Sequence, residues 1–237
     1  DGAFWKSQRK IIQPLFNKSF IEAMCYDISV ATDSFLQSID DDPVDLTKEL
    51  ANLTIEIACR AFFATSEVQF SSFISAKTNE INEFMNQRIL MPFIPMGMPL
   101  PSHIKFNRSI RQINEKLKAL IVMAANNDSR PSLLSMLANS KSISDDMIRD
   151  EVLTFLIAGH ETTTNALSFL LYLLSKYPDV QQAVKEEIEN NSMDDHPSYE
   201  SLQRLTYTKA VINEALRLFP PAWIISRESI EDDVILG

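Results

Sequence analysis

Along most of this chain apolar residues recur at gaps of three and four, and the runs break where proline, glycine or clustered acids stand. Residues 3–16 read as a short amphipathic helix ending near Pro14, and 19–39 as a second helix with Ser19 as its N-cap. The acidic run Asp40, Asp41, Asp42 ahead of Pro43 interrupts the pattern. It resumes over 44–65, with Leu46, Leu50, Leu53, Ile57 and Ala61 at helical spacing. Further helices are predicted over 70–90, 104–126 and 131–139. Between Met91 and Pro101, MPFIPMGMPLP has four prolines and a glycine among its residues, which forbids a helix while leaving Phe93, Ile94 and the methionines apolar. Such a loop is either a connection packed on the core, or a lid over an apolar pocket or a membrane-contacting tip.

The longest run begins between Ser142 and Asp145, where hydroxyls and early acids suit a helix start, and ends at Tyr177 because Pro178 disfavours continuation. A helix of about 33 residues spans roughly 50 Å, enough to cross a domain. Residues 178–190, 198–205 and 206–219 read as three more helices, the last stopped by Pro220 and Pro221. From Ala222 onward the sequence alternates and is β-branched, which predicts two short strands. The expectation is a mainly α protein with a long central helix and a few short strands near the C-terminus. No repeat or linker divides residues 1–237 into more than one domain.

Composition agrees. Hydrophobic residues make up 45% of the 237 and aromatics 9%, enough for a sizeable core. There are only four glycines, against about 7% in average usage, which disfavours a turn-rich β fold. With 22 basic and 32 acidic residues the formal charge is -10, which argues against nucleic acid as a partner. The one basic cluster, Lys6, Arg9 and Lys10, is either a solvated helix face or a dock for an acidic partner. Cys25 and Cys59 sit in apolar helical runs without C-x-x-C spacing and read as buried free thiols. The first residues carry neither Met nor an apolar signal region, as expected of the middle of a longer protein. The most apolar helix is interrupted too early to span a membrane.

That interruption is the main chemical signal. Within LTFLIAGHETTTNALSFLLYLL, residues 153–174, polar groups stand inside an apolar helix, where they cost free energy unless paired or used. Phe155, Ala158, Thr162, Ala166, Phe169 and Leu173 share a face, expected to be the buried stripe, with Glu161 about 100° around from Thr162. Ala158 and Gly159 leave room for something to approach the backbone. A zinc site of the His-Glu-x-x-His type fails, because Thr164 stands where the second His belongs. No glycine-rich phosphate loop exists, since every glycine is isolated. The bland alternative is that the threonines bond back to carbonyls one turn earlier and Glu161 faces a solvated groove. Further on, Glu214 and Arg217 in NEALRLFPP lie one turn apart on a helix face.

Together FWKSQRKIIQPLF, AGHETTTNAL and NEALRLFPP resemble, in order, three motifs of the cytochrome P450 family of haem-thiolate monooxygenases. Trp5 and Arg9 match its Trp-x-x-x-Arg; Ala158, Gly159, His160, Glu161 and Thr162 match Ala/Gly-Gly-x-Asp/Glu-Thr; Glu214 and Arg217 match Glu-x-x-Arg. The resemblance implies that Trp5, Arg9 and Arg227 meet the propionates of haem b. It further implies that Ala158 and Gly159 face dioxygen, that Thr162 and Glu161 deliver protons, and that Glu214 and Arg217 hold the fold. Ala222, Trp223 and Ile224 would shape a pocket for a small hydrophobic substrate. Electrons would come from a reductase or a ferredoxin. The family's axial Cys lies in a Phe-x-x-Gly-x-x-x-Cys-x-Gly loop that is expected after Gly237, so a fragment truncated at both ends, and inactive alone, is expected. The competing reading is a catalytically inactive helical binding or scaffold protein derived from that fold. Localisation stays open between the cytoplasm and a membrane, reached through a segment before residue 1.

Overall fold

The structure, a computed structural model, describes residues 2–39, 42–63, 68–91, 93–95, 98–125, 132–139, 143–191 and 196–225. Its first helix, α1 (Gly2–Ile12), tightens into a 3-10 turn at Gln13–Leu15, where Pro14 ends the α-helical bonding. Next comes α2 (Lys18–Ser38). Its N-cap is Asn17, whose side-chain oxygen accepts the Phe20 N–H at 2.9 Å, and not Ser19 as the pattern suggested. Ser19 is already helical and instead donates its hydroxyl to Asn17 Oδ1 at 2.6 Å. An Asn one position ahead of the helix reaches the third amide, and a residue inside the first turn does not.

Five further helices build the core: α3 (Leu46–Phe63), α4 (Val68–Leu90), α5 (Pro101–Ala125), α6 (Leu133–Ala138) and α7 (Asp145–Lys176). The start of α7 is fixed by Ser144, whose hydroxyl accepts the Met147 N–H at 3.4 Å, and by Asp145 and Asp146 against the helix dipole. Buried positions surround α3 on nearly every side, from Leu50 and Leu53 to Phe62 and Phe63, so it is the central helix. Against it pack α2, α4, α6 and, over the greatest length, α7. Ile55, Ile74, Ile113, Leu133 and Leu156, from five of these helices, meet in one fully buried cluster. Each such side chain contributes about 1.5–3 kcal/mol on burial. Between α4 and α5 the proline-rich segment leaves Met91 and Phe93 exposed. No helix among the described residues is long and apolar enough to cross a membrane.

Three shorter helices follow among the described residues: α8 (Pro178–Asn190), α9 (Tyr199–Gln203) and α10 (Thr206–Leu218). The expected strands fall mostly on residues 226–237, outside those described, and 221–225 carry no strand. Phe219, just past α10, stacks on Phe169 of α7 with centroids 4.5 Å apart. At its other end α10 has no cap of its own. Glu187 of α8 supplies one: Oε1 accepts the Tyr207 N–H, and Oε2 the Thr208 N–H and hydroxyl, each at 2.7 Å. Burial alone would raise this carboxyl, but the Thr208 and Tyr207 amides and the Thr208 and Thr206 hydroxyls outweigh it and hold the group below its ordinary 4.5.

Because the folded-state value is lowered, the stability that Glu187 contributes is present above about pH 4.5 and is lost as pH falls through the lowered value. Glu187→Ala is expected to lower the thermal midpoint by roughly 2–4 °C at neutral pH, as loss of a helix cap does in a protein of this size. Calorimetry from pH 7 to pH 3 checks this. The variant should lose less stability than the parent at the acid end, and parallel profiles would mean that Glu187 does not hold α10.

Candidate functional site

Two faces of α7 have different fates. Ile148, Val152, Leu156, His160 and Thr164 recur every four residues and are the buried ones. The stripe expected to be buried is the more open one: Ala158, Thr162 and Phe169 are exposed, and Phe155, Ala166 and Leu173 are half-buried. Helical spacing groups residues by face but does not say which face a neighbour covers, and α3 covers the other. Thr162 is therefore available rather than packed. Its hydroxyl donates to the Ala158 carbonyl, and Glu161 stands exposed beside it.

The two small residues also separate. Ala158 belongs to the open face, whereas Gly159 turns to α3 at the floor of an apolar groove of about 550 Å³ that Leu53, Phe62 and Leu167 also line. A Cβ on Gly159 would lie 3.7 Å from the Phe62 ring, an ordinary contact, so glycine is tolerated there and not strictly required. From Phe155 the open face runs through Ala158, Thr162 and Ala166, with nothing on it larger than threonine before Phe169.

Behind this face the sequence reading missed a polar cluster. His160 Nδ1 lies 2.9 Å from Thr54 Oγ1, which lies 2.7 Å from Thr164 Oγ1. The Thr164 hydroxyl reaches the His160 carbonyl at 2.9 Å. All three side chains are buried. Burial holds the His160 imidazole below its ordinary 6.5, so it is neutral near pH 7. The signal was present: His160 and Thr164 lie four apart on the same stripe as Leu156, and Thr54 lies four residues from both Leu50 and Ala58 in α3.

At the near end, α1 brings Trp5 and Arg9 toward α7. The Arg9 guanidinium lies over the Trp5 ring, 5.2 Å from its centroid, and Nε donates to Gln13 Oε1 at 3.3 Å. A concavity of about 280 Å³ is lined by both, with Phe16, Glu151 and Phe155. Phe16 and Phe155 touch, centroids 5.2 Å apart, which ties the end of α1 to the open face of α7. Burial, then the Asp150 charge, raises the Glu151 carboxyl above its ordinary value. An exposed, always-charged guanidinium stacked on an indole suits a carboxylate ligand at this rim.

On α10 the Glu214 and Arg217 side chains form a two-pronged pair, both bonds 2.7 Å. That bonding lowers Glu214 and raises Arg217 from their ordinary values. Ala222, Trp223 and Ile224 follow α10 and are exposed, Trp223 by 77%. Arg227 lies outside the described residues. Neither cysteine is set up as a thiolate: burial, then Glu56, pushes Cys59 up to about 12, and burial likewise raises Cys25.

The chain as a whole is similar to known proteins. A chloroplastic protein of Arabidopsis thaliana, LUTEIN DEFICIENT 5, is 28% identical over 99% of this chain and 44% of its own length. The cyclooctat-9-en-7-ol 5-monooxygenase of Streptomyces melanosporofaciens is 29% identical over 100% of this chain and 54% of its own. A bifunctional cytochrome P450/NADPH–P450 reductase of Bacillus subtilis is 28% identical over 98% of this chain and 24% of its own. The chain thus spans about half, or less, of these curated relatives. Among solved structures, the heme domain of a cytochrome P450DA mutant superposes with a TM-score of 0.73, at 24% identity, over 90% of this chain and 49% of that one. The family model described as Cytochrome P450 matches residues 1–237, the whole length along which the paired Trp5 and Arg9, the open face of α7 and the Glu214–Arg217 pair are strung, and the chain belongs to the cytochrome P450 family.

Proposed function

We propose that the protein is a haem-thiolate monooxygenase that inserts one oxygen atom of dioxygen into a hydrophobic organic substrate. The observation that carries this reading is the open face of α7, where the Thr162 hydroxyl and the Glu161 carboxylate stand beside Ala158, on the helix that also lines the Arg9–Trp5 concavity. The residues fit a flat, carboxylate-bearing macrocycle. Trp5 and Arg9, with Arg227, would bind its propionates, and the small side chains of Ala158, Thr162 and Ala166 would leave its face uncovered. When bound, haem b would supply the thiolate-ligated iron that activates dioxygen.

The rest is the work of this chain. Thr162 Oγ1 holds a proton at the open face, poised by its bond to the Ala158 carbonyl. Glu161, exposed, can replace that proton from solvent. Arg9 and Trp5 orient the bound group by charge and stacking. Glu214 and Arg217 keep α10 rigid, and Ala222, Trp223 and Ile224 supply apolar surface to the substrate. Two Streptomyces relatives named for cyclooctat-9-en-7-ol and pentalenene oxygenation support a hydrophobic substrate class, and relatives fused to an NADPH–P450 reductase support an electron-donor reductase as partner. Lys6 and Lys10, exposed on α1, offer a docking face to that partner where the partner's surface is acidic.

Three outcomes test this in the full-length protein. Carbon monoxide added to the reduced protein should give the long-wavelength Soret band of a thiolate-ligated haem; its absence would support an inactive scaffold instead. Thr162→Ala should divert electrons to peroxide, cutting product per electron pair several-fold, whereas unchanged coupling would make the hydroxyl structural. Charge reversal at Lys6 and Lys10 should slow reduction several-fold at low salt and much less at high salt, because exposed charges are screened beyond about 10 Å at 0.1 M. Equal slowing at both would remove the docking role.

A further inference from the structure

The buried cluster behind the open face has no part in the chemistry above, yet its geometry is specific. Three contacts link it: His160 Nδ1 to Thr54 Oγ1 at 2.9 Å, Thr54 Oγ1 to Thr164 Oγ1 at 2.7 Å, and Thr164 Oγ1 to the His160 carbonyl at 2.9 Å. Each hydroxyl has one hydrogen to donate. The Thr54 hydroxyl also has the Ala51 carbonyl within 3.2 Å as an alternative acceptor, but only one assignment uses all three contacts of the cluster. Thr164 must donate to the carbonyl, so Thr54 must donate to Thr164, and then Nδ1 must carry the imidazole proton and donate to Thr54. The result is a closed ring of donors running out from α7 to α3 and back. If Thr54 donated to Nδ1 instead, the single Thr164 hydrogen would have to serve both Thr54 and the His160 carbonyl, and one of those two bonds would go unmade.

We infer that Thr54 and His160 are positioning residues, a clasp that fixes the rotation of α7 about its axis and so aims Glu161 and Thr162 outward. His160 stands two residues before Thr162, about 200° around the helix, so whatever holds His160 against α3 turns Thr162 away from it. Apolar contacts at Leu156 and Gly159 resist separation of the helices but tolerate a small rotation, whereas hydrogen bonds are directional. Burial raises the cost of breaking them, because an unmade bond leaves a polar group without water. His160 also belongs to the turn whose neighbouring carbonyl, that of Ala158, receives the Thr162 hydroxyl. The clasp therefore holds the backbone to which the proton-holding hydroxyl is bonded. This inference rests on the proposed proton delivery by Glu161 and Thr162.

The test uses the full-length protein with Thr54→Val, which keeps the shape and removes the hydroxyl, and Thr54→Ser, which keeps the hydroxyl. His160→Leu and His160→Asn form a second pair, since an Asn amide can replace the Nδ1–H donor. Coupling of electron use to product is expected to fall at least threefold in Thr54→Val and His160→Leu and to return in Thr54→Ser and His160→Asn. Amide exchange at residues 158–162 should quicken about tenfold in Thr54→Val, and nitrogen NMR of labelled histidine in the parent should show His160 protonated at Nδ1. Unchanged coupling in Thr54→Val, where Thr162→Ala uncouples, would overturn the clasp and leave proton delivery standing. Unchanged coupling in Thr162→Ala would remove proton delivery instead. The clasp would then be decided by exchange and tautomer, and parent-like exchange with an Nε2–H imidazole would overturn it. Should Thr54→Val not fold, the His160 pair carries the same comparison.

Discussion

The packing of α7 along α3 is the constraint on which the candidate site depends. Buried positions lie on nearly every side of α3, and the helix that encloses it over the greatest length gives up one face to do so. That choice leaves the face of Phe155, Ala158 and Thr162 free of the core. It also sets the direction from which α1 approaches, since Phe16 reaches Phe155 and brings Arg9 with it. The far end of α7 is fixed in a similar way by Phe169 against Phe219, which ties the end of the helix carrying Glu214 and Arg217 to the same long element.

The polar residues in the middle of α7 thus have two separate explanations. His160 and Thr164 lie in the buried stripe and are satisfied by each other and by Thr54. Ala158 and Thr162, each offset by two residues from a member of that stripe, lie on the opposite side, with Glu161 exposed next to them. A single short stretch serves both sides because a step of two residues turns an α-helix by about 200°. The burial cost of the first group is met by mutual hydrogen bonding, and the second group has no such cost because the core does not reach it.

Much of the fold was legible in the sequence. The start of α7 at Ser144 and its end before Pro178 follow from capping chemistry and from the restriction that proline places on its predecessor. The boundaries of α8 and α10 agree with their patterns to within a residue. What was not legible depends on partners distant in sequence. Thr54 and His160 are 106 residues apart, so no local pattern could pair them. For the same reason the pattern of α7 was assigned its buried face incorrectly, because several of its faces are apolar enough to be buried and only α3 decides among them. Glu187 was likewise invisible as a cap, since α10 takes it from another helix where capping rules look one residue upstream. For the candidate residues Trp5 with Arg9 and Glu214 with Arg217, the contact within each pair follows from helical spacing, because its members lie about one turn apart.

A buried histidine is a costly way to join two helices when leucine would pack without desolvating a polar ring. Its presence at the centre of the α3–α7 contact therefore calls for a property that leucine lacks, and that property is directionality. A helix locked only by apolar contacts can turn by several degrees at little cost, since such contacts are numerous, weak and non-directional. A carboxylate and a hydroxyl that deliver protons, as proposed for Glu161 and Thr162, would not tolerate such turning, because proton transfer requires a separation of about 2.6–3.2 Å. A buried polar contact that contributes little net stability still distinguishes one rotation from its neighbours, because each wrong rotation leaves unpaired donors out of reach of water. On that argument the cluster on the hidden side of α7 and the residues on its open side form one arrangement, in which the buried bonds define the direction that the exposed groups use.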